Sequence, residues 1–193
     1  MHKVLRVLIL SDLFIIGSFG LVQPIFAVYM LQNVVGTTIT AIGVAVTIQL
    51  VTKAVVQIIV AKWTDEEPGN RRELWTLFAG SILMSLVSFG YIWATNLSIL
   101  YSLQFLYGLG AALAFPGWVV IYSRYIRAEK AGYEWSVYST IISLGTAVAA
   151  SVGAYMAEIF SFTHLFVLIG IFSLIGSSFI SYIFKHEFTR KNT

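Results

Sequence analysis

The sequence predicts an all-α membrane protein in which six helices cross the bilayer. Hydrophobic residues make up 58% of the 193 residues and charged residues only 11%, whereas a soluble domain has about 25% charged residues. The apolar residues form six long runs, and all but one of the twelve Lys and Arg residues lie beside alternate connections between them. This positive-inside distribution predicts an integral protein of the plasma (inner) membrane with both termini in the cytoplasm.

Each predicted span is a run long enough to cross a bilayer, which takes about 20 mainly apolar residues. The first run is longer than a signal-peptide core and no small-residue cleavage site follows it, so we expect it to remain as a span. Four of the five Trp residues lie near span ends, as in an aromatic belt, whereas Trp118 does not and should face protein or a cavity. The predicted spans are Val4–Leu31, Thr38–Trp63, Leu74–Ala94, Leu97–Ile126, Tyr133–Ala157 and Leu165–Phe184.

The span lengths suggest an internal repeat. They run long, intermediate and short, and then repeat that order, with Pro24 and Pro116 at matching positions in the first and fourth spans. An odd-numbered unit must be inverted in its second copy, and inverted three-helix repeats with interrupted helices are typical of transporters. We therefore predict one six-helix bundle built from inverted repeats over about 1–94 and 95–193, with interruptions at both prolines. Alternatively, the prolines reflect only how common proline is in membrane helices.

Other classes of protein are disfavoured by what the chain contains. It has no cysteine and three histidines, none deep in a span, so we expect neither a metal or cofactor site nor an enzyme. The basic residues form four short clusters rather than one basic face, so nucleic acid is not an expected partner.

The connection between the second and third spans resembles the cytoplasmic signature loop of the major facilitator superfamily. The segment runs Ala61-Lys-Trp-Thr-Asp-Glu-Glu-Pro-Gly-Asn-Arg-Arg-Glu-Leu74. It has the Asp, Gly, basic residue and Leu of that loop, with one inserted residue, but Ala61, Glu66 and Asn70 depart from it. The resemblance implies that Asp65 holds the cytoplasmic side closed by charge-assisted bonds to Arg71 and Arg124, in a gate that also includes Gly69 and Arg72.

The fourth and fifth spans resemble the same family less closely. Gln104-Phe-Leu-Tyr-Gly-Leu-Gly-Ala-Ala112 is similar to the fourth-helix motif, but Gln104 replaces its Arg and Tyr107 its Gln. The fifth span has small residues at Gly145, Ala149 and Gly153 without the Gly-Pro of the antiporter motif. The resemblance thus implies the fold without supporting proton coupling or antiport. The small-residue strip is expected to pack either in a dimer interface or against another helix of the bundle.

The polar residues within the spans are the candidate pathway for a substrate or ion. A charge at the bilayer centre costs about 2.5 to 3.5 kcal/mol, so Asp12 and Lys53, at similar depths, should face a cavity and pair. The spacing of eleven residues places Gln23 on the helix face of Asp12, about three turns away. The candidate pathway residues are Asp12, Gln23, Gln49, Lys53, Gln57, Gln104, Trp118 and Tyr122. The alternative is that the amides and aromatic rings only pack between helices.

These observations predict a half-size secondary transporter that moves a small molecule by alternating access as a homodimer. An even number of spans lets two copies pair about an axis along the membrane normal, which reproduces the relation between the two halves of a facilitator. Two alternatives stay open. The chain is part of a twelve-helix transporter, or it is a six-helix membrane protein that transports nothing.

Overall fold

The computed structural model describes residues 2–66 and 71–191, with side chains up to residue 184. Seven α-helices and three short 3₁₀ turns make up this part of the chain. The α-helices are α1 Lys3–Gly20, α2 Phe26–Asn33, α3 Ile39–Asp65, α4 Arg72–Gly90, α5 Leu97–Tyr125, α6 Ala131–Ile159 and α7 Phe162–Lys191.

The six predicted spans are confirmed as six helical segments long and apolar enough to cross a membrane. They are Lys3–Asn33, Ile39–Asp65, Arg72–Trp93, Leu97–Tyr125, Ala128–Ile159 and Phe162–Phe184. The predicted boundaries differ from these by a few residues, because the end turns of the helices contain polar residues. Thr38 and Asn96 cap two of the helices through side-chain oxygens that accept from Ala41 and Ile99, as N-cap residues do.

The two prolines behave differently. Pro24 lies in a 3₁₀ turn, Gln23–Ile25, that separates α1 from α2 within the first span, at the position where an interruption was predicted. Pro116 lies inside α5, which runs unbroken from Leu97 to Tyr125, so the predicted second interruption is wrong. A buried proline removes one intrahelical hydrogen bond, and the close packing of α5 against α4 holds the helix together around it: a Cβ at Gly117 would overlap the Glu73 carbonyl.

The connections lie alternately at two ends of the bundle. At one end the backbone N–H of Val35 donates to the carbonyl of Thr95 at 2.9 Å, joining two connections without basic residues. At the other end, which we call the basic end, the ring of His2 stacks on Tyr125 at 4.5 Å, beside the Arg-bearing end of α5. The basic end is the one that the positive-inside pattern predicts to be cytoplasmic.

Helix packing divides the bundle into two groups. α1 packs against α6 and α7, α5 packs against α3 and α4, and α4 packs against α7 to join them. Gly145 and Gly153 in α6 face α1, where added Cβ atoms would overlap the Leu13 side chain and the Leu21 carbonyl. Gly145 and Gly153 therefore pack inside the bundle in this structure, which is the second of the two arrangements expected for the small-residue strip.

Two spans are largely uncovered. Only 11% of the membrane-crossing window of α3 and 6% of that of the span containing α6 are buried, against 44% to 61% in the other four spans. The buried residues of α6 are Glu134 and Gly153. A bundle of this kind presents α3 and α6 to lipid or to another protein surface.

Candidate functional site

Asp12 is buried in the half of the bundle nearer the basic end. It lies nine residues after Lys3 in α1, about 14 Å along the helix, and is 8% exposed. The Tyr138 hydroxyl donates to its Oδ2 at 2.9 Å. The structure therefore places the carboxylate between α1 and α6, where the Tyr138 hydroxyl binds it.

Tyr138 belongs to a cluster of four aromatic rings from α5 and α6. Trp118 stacks on Tyr122 with centroids 4.8 Å apart, and Trp135 and Tyr138 lie 5.8 and 5.0 Å from Trp118. The indole Nε1 of Trp118 is buried and has no hydrogen-bond partner in the described part of the chain. Trp118 thus faces protein, as predicted, and Trp118 and Tyr122 belong to the surroundings of Asp12.

Lys53 does not pair with Asp12, so the predicted ion pair is wrong in this structure. Its Nζ lies over the Phe115 ring, 4.9 Å from the centroid, on a half-buried face of α3. The pair was predicted because Asp12 and Lys53 lie at similar depths in their spans. However, α1 packs on α6 and α7, whereas α3 packs on α5. The two charges consequently belong to different helix groups and meet aromatic rings instead of each other.

Three of the predicted amides, Gln23, Gln49 and Gln104, line a cavity of about 440 Å³ between the first span, α3, α4 and α5, with Phe166 of α7. Asp12 is not among its lining residues. The expected common face of Asp12 and Gln23 is wrong because α1 ends at Gly20 and the turn at Pro24 changes the direction of the following side chains. Gln57 lies further along α3, half-buried, with an Oε1 that has no partner among the described residues.

At the basic end, Arg124 bonds to a different carboxylate from the one predicted. Its Nη2 donates to Glu73 Oε1 at 2.5 Å, and Glu73 is 3% exposed. Asp65 is exposed at the end of α3, so the predicted bond between Asp65 and Arg124 is absent from this structure. Gly69 lies outside the described residues.

The remaining basic residues of the predicted gate lie at the start of α4. Arg71 is the N-cap residue of that helix. The Arg72 guanidinium lies 4.8 Å from the Trp63 ring centroid and donates to the Trp63 carbonyl at 3.1 Å. It also approaches exposed Glu66 at 3.9 Å. Arg72 therefore ties the start of α4 to the end of α3.

Two buried glutamates were missed by sequence reasoning. Besides Glu73, Glu134 accepts from the Arg127 guanidinium at 2.7 and 2.9 Å and from the Arg127 backbone N–H at 3.2 Å. Each glutamate begins a span whose neighbouring sequence carries an Arg. A lone Glu in the first turn of an apolar run was the available signal. The partner of Glu134 precedes it by seven residues, whereas the partner of Glu73, Arg124, lies 51 residues later and could not be found from local sequence.

An all-helical bundle whose interior holds a carboxylate, amides and a cavity has the features of a polytopic membrane transporter. The sequence model of the Major Facilitator Superfamily matches residues 8–193, and the chain belongs to that family.

Two curated relatives carry names of transporters. The chain is 24% identical over 142 residues to the proton-coupled antiporter flippase LtaA of Staphylococcus saprophyticus, covering 74% of this chain and 35% of that protein. It is 26% identical over 176 residues to the multi-drug resistance efflux pump PmrA homolog of Lactococcus lactis, covering 90% of this chain and 42% of that protein. The chain thus spans less than half the length of these relatives.

Proposed function

We propose that two copies of the chain form a symmetric dimer that moves a small solute across the membrane by alternating access. Lys53 carries this proposal. It lies fourteen residues after Ile39 in the 27-residue helix α3, near the middle of that span, and a lipid-facing charge at the bilayer centre costs about 2.5 to 3.5 kcal/mol. A second bundle and a water-filled cavity covering this face would remove most of the free-energy cost of exposing Lys53 to lipid.

The arrangement of the helices supports a second bundle on the same side. α3 and α6 are the least covered spans, and the amides Gln49 and Gln57 lie one turn either side of Lys53 on α3. Because the small residues of α6 are used against α1, a partner would contact other residues of α6 and α3. The central cavity between the bundles would then contain Lys53 of both copies.

The packing also supports the inverted repeat. The first span packs on the fifth and sixth, and the fourth packs on the second and third, while the third packs on the sixth. Exchanging the first three spans with the last three leaves this pattern unchanged, which is what a three-plus-three repeat requires. Such a repeat allows rocking of one bundle against the other about a central site.

A second candidate is that the other bundle belongs to the same polypeptide. The observation that favours it is the length of the relatives, of which this chain covers 35% and 42%. In that case the same face of α3 would meet a second bundle of different sequence, and this chain alone would not transport.

The mass of the protein in lipid nanodiscs, measured by mass photometry or native mass spectrometry, separates the candidates. A dimer is expected.

Flux is then measured in proteoliposomes with three radiolabelled probes that share one ring system: N-(2-naphthylmethyl)acetamide, 2-naphthylmethylammonium and 2-naphthylacetate. Protein-dependent counterflow of at least one probe is expected. A protein that is monomeric in lipid and still transports would contradict the dimer, and a dimer without flux of any probe would count against transport by this chain alone.

A further inference from the structure

The cavity lies inside one bundle. Its volume is about 440 Å³, within the range of roughly 300 to 1,000 Å³ typical of small-molecule sites. Ile16 and Val46 line its mouth and are 41% and 38% exposed. Tyr91 and Phe166, deeper in the bundle, are 4% and 1% exposed. The cavity thus runs from the uncovered face between the first span and α3 into the core of one bundle.

Gln104 is the polar group that this cavity leaves unsatisfied. It lines the cavity, is 2% exposed, and its Oε1 has no hydrogen-bond partner in the described part of the chain. Buried side-chain amides in folded proteins are nearly always hydrogen-bonded. A ligand that donates a hydrogen bond would satisfy this oxygen. Gln23 and Gln49, in the same lining, add two further amides that can donate or accept.

The rest of the lining fixes the chemistry of that ligand. Five aromatic rings contribute to it, from Phe19, Phe26, Tyr91, Tyr107 and Phe166. None of the described residues that line it carries a charge, and an ion placed there would lose its hydration without a counter-charge. The two intramembrane charges Lys53 and Asp12 are not among the lining residues and contact Phe115 and Tyr138 instead.

We infer that this cavity is a binding site for an uncharged aromatic molecule bearing an amide or hydroxyl group, and that the Gln104 amide rotates toward the cavity so that its buried Oε1 accepts a hydrogen bond from this molecule. Each chain carries one complete site. If the bound molecule is also the transported solute, that part of the inference rests on the proposed function. Binding itself requires neither a dimer nor transport.

The test is equilibrium dialysis of the three naphthyl probes against the protein in nanodiscs, with empty nanodiscs subtracted. The neutral acetamide is expected to bind saturably, with one molecule per chain, and at least tenfold more tightly than the ammonium or the carboxylate. Equal binding of the three probes, or tighter binding of either ion, would overturn the inference.

Two variants locate the site. Gln104→Leu keeps the side-chain size but removes the amide, so it should weaken the acetamide about tenfold and leave the apolar control 2-ethylnaphthalene unchanged. Ile16→Trp adds bulk at the exposed mouth and should weaken both ligands. Thermal unfolding of each variant checks its fold. If both variants fold and bind the acetamide as the wild type does, the cavity is not the site.

The outcome is independent of the proposed function. One acetamide per chain without counterflow supports the site and removes the transport proposal for this chain. Counterflow of an ionic probe, with no saturable binding of the acetamide, supports transport and overturns the neutral-ligand site.

Discussion

Asp12 combines a buried charge with few polar contacts. Its carboxylate is 8% exposed and accepts a hydrogen bond from Tyr138, which belongs to the aromatic cluster Trp118, Tyr122, Trp135 and Tyr138. Ionisable groups within the membrane are costly, and they usually mark a substrate or proton pathway. A purely structural role would be served as well by a neutral amide.

Asp12→Asn is therefore expected to separate function from stability. Asparagine can still accept from Tyr138, so the free energy of unfolding should change by no more than about 1 kcal/mol. Counterflow of the probe that the wild type carries should fall at least tenfold. Ser11→Ala is the matched control, because Ser11 is the neighbouring buried polar residue and its hydroxyl donates to the Gly176 carbonyl. If Asp12→Asn transports as well as Ser11→Ala, Asp12 has no role in the pathway.

For single residues, the sequence predicted well how deep each charge lies in its span, but predicted poorly which neighbour its side chain faces. Asp12 and Lys53 are both well inside spans, as their distances from the span ends predicted. Their partners depend on how each helix is rotated and on which helices are neighbours, and a run that is apolar on every face gives little information about either. The Asp12–Tyr138 bond joins residues 126 positions apart, so it could not be derived from local spacing.

Among the elements, α1 and α6 are held together by close backbone approach. Gly153 is buried, and an added Cβ would overlap the Leu21 carbonyl. Small residues allow such approach between membrane helices, where dispersion contacts supply much of the packing energy. The approach occurs just after α1 ends, so it also fixes the turn that leads to Pro24.

Gly153→Ala should consequently destabilise the bundle. The gain in helix propensity, about 1 kcal/mol, is outweighed by overpacking, which costs about 1 to 3 kcal/mol and more against rigid backbone. Gly132→Ala in the same helix is the control, since nothing lies within 4 Å of its Cβ position. We expect a lower melting temperature for Gly153→Ala only. If Gly153→Ala leaves the melting temperature unchanged but weakens the dimer, the small-residue strip of α6 lies in the dimer interface.

The two prolines show what element-level prediction misses. Both matched a repeat when counted along the sequence, and only Pro24 interrupts its span. Around Pro24 the chain makes a 3₁₀ turn, whereas Pro116 is packed where α5 crosses the start of α4 beside Gly117. Tertiary packing therefore decides whether a membrane proline breaks its helix, and the number of spans is more predictable than their internal breaks.

For the whole molecule, the charged groups at the basic end are of two kinds, paired and exposed. The pairs Glu73–Arg124 and Glu134–Arg127 lie within one bundle, and each buries a carboxylate. They should hold the bundle rigid without favouring either direction of access. Asp65, exposed at the end of α3, is instead placed to meet a partner bundle, so the proposed cytoplasmic gate depends on a surface that a single chain leaves open.

In the proposed dimer, Asp65→Asn should shift the equilibrium toward the inward-open state, because a contact that forms in only one state biases the populations by its own free energy. The chain has no cysteine, so Glu129→Cys provides one spin label per copy at the basic end. Pulsed dipolar spectroscopy in nanodiscs should show longer label-to-label distances in Asp65→Asn than in the wild type. Glu73→Gln is the contrasting variant: it should lower the melting temperature, since it weakens a buried ion pair, and leave the distances unchanged. Distances that respond to Glu73→Gln and not to Asp65→Asn would assign the gate to the Glu73–Arg124 pair instead.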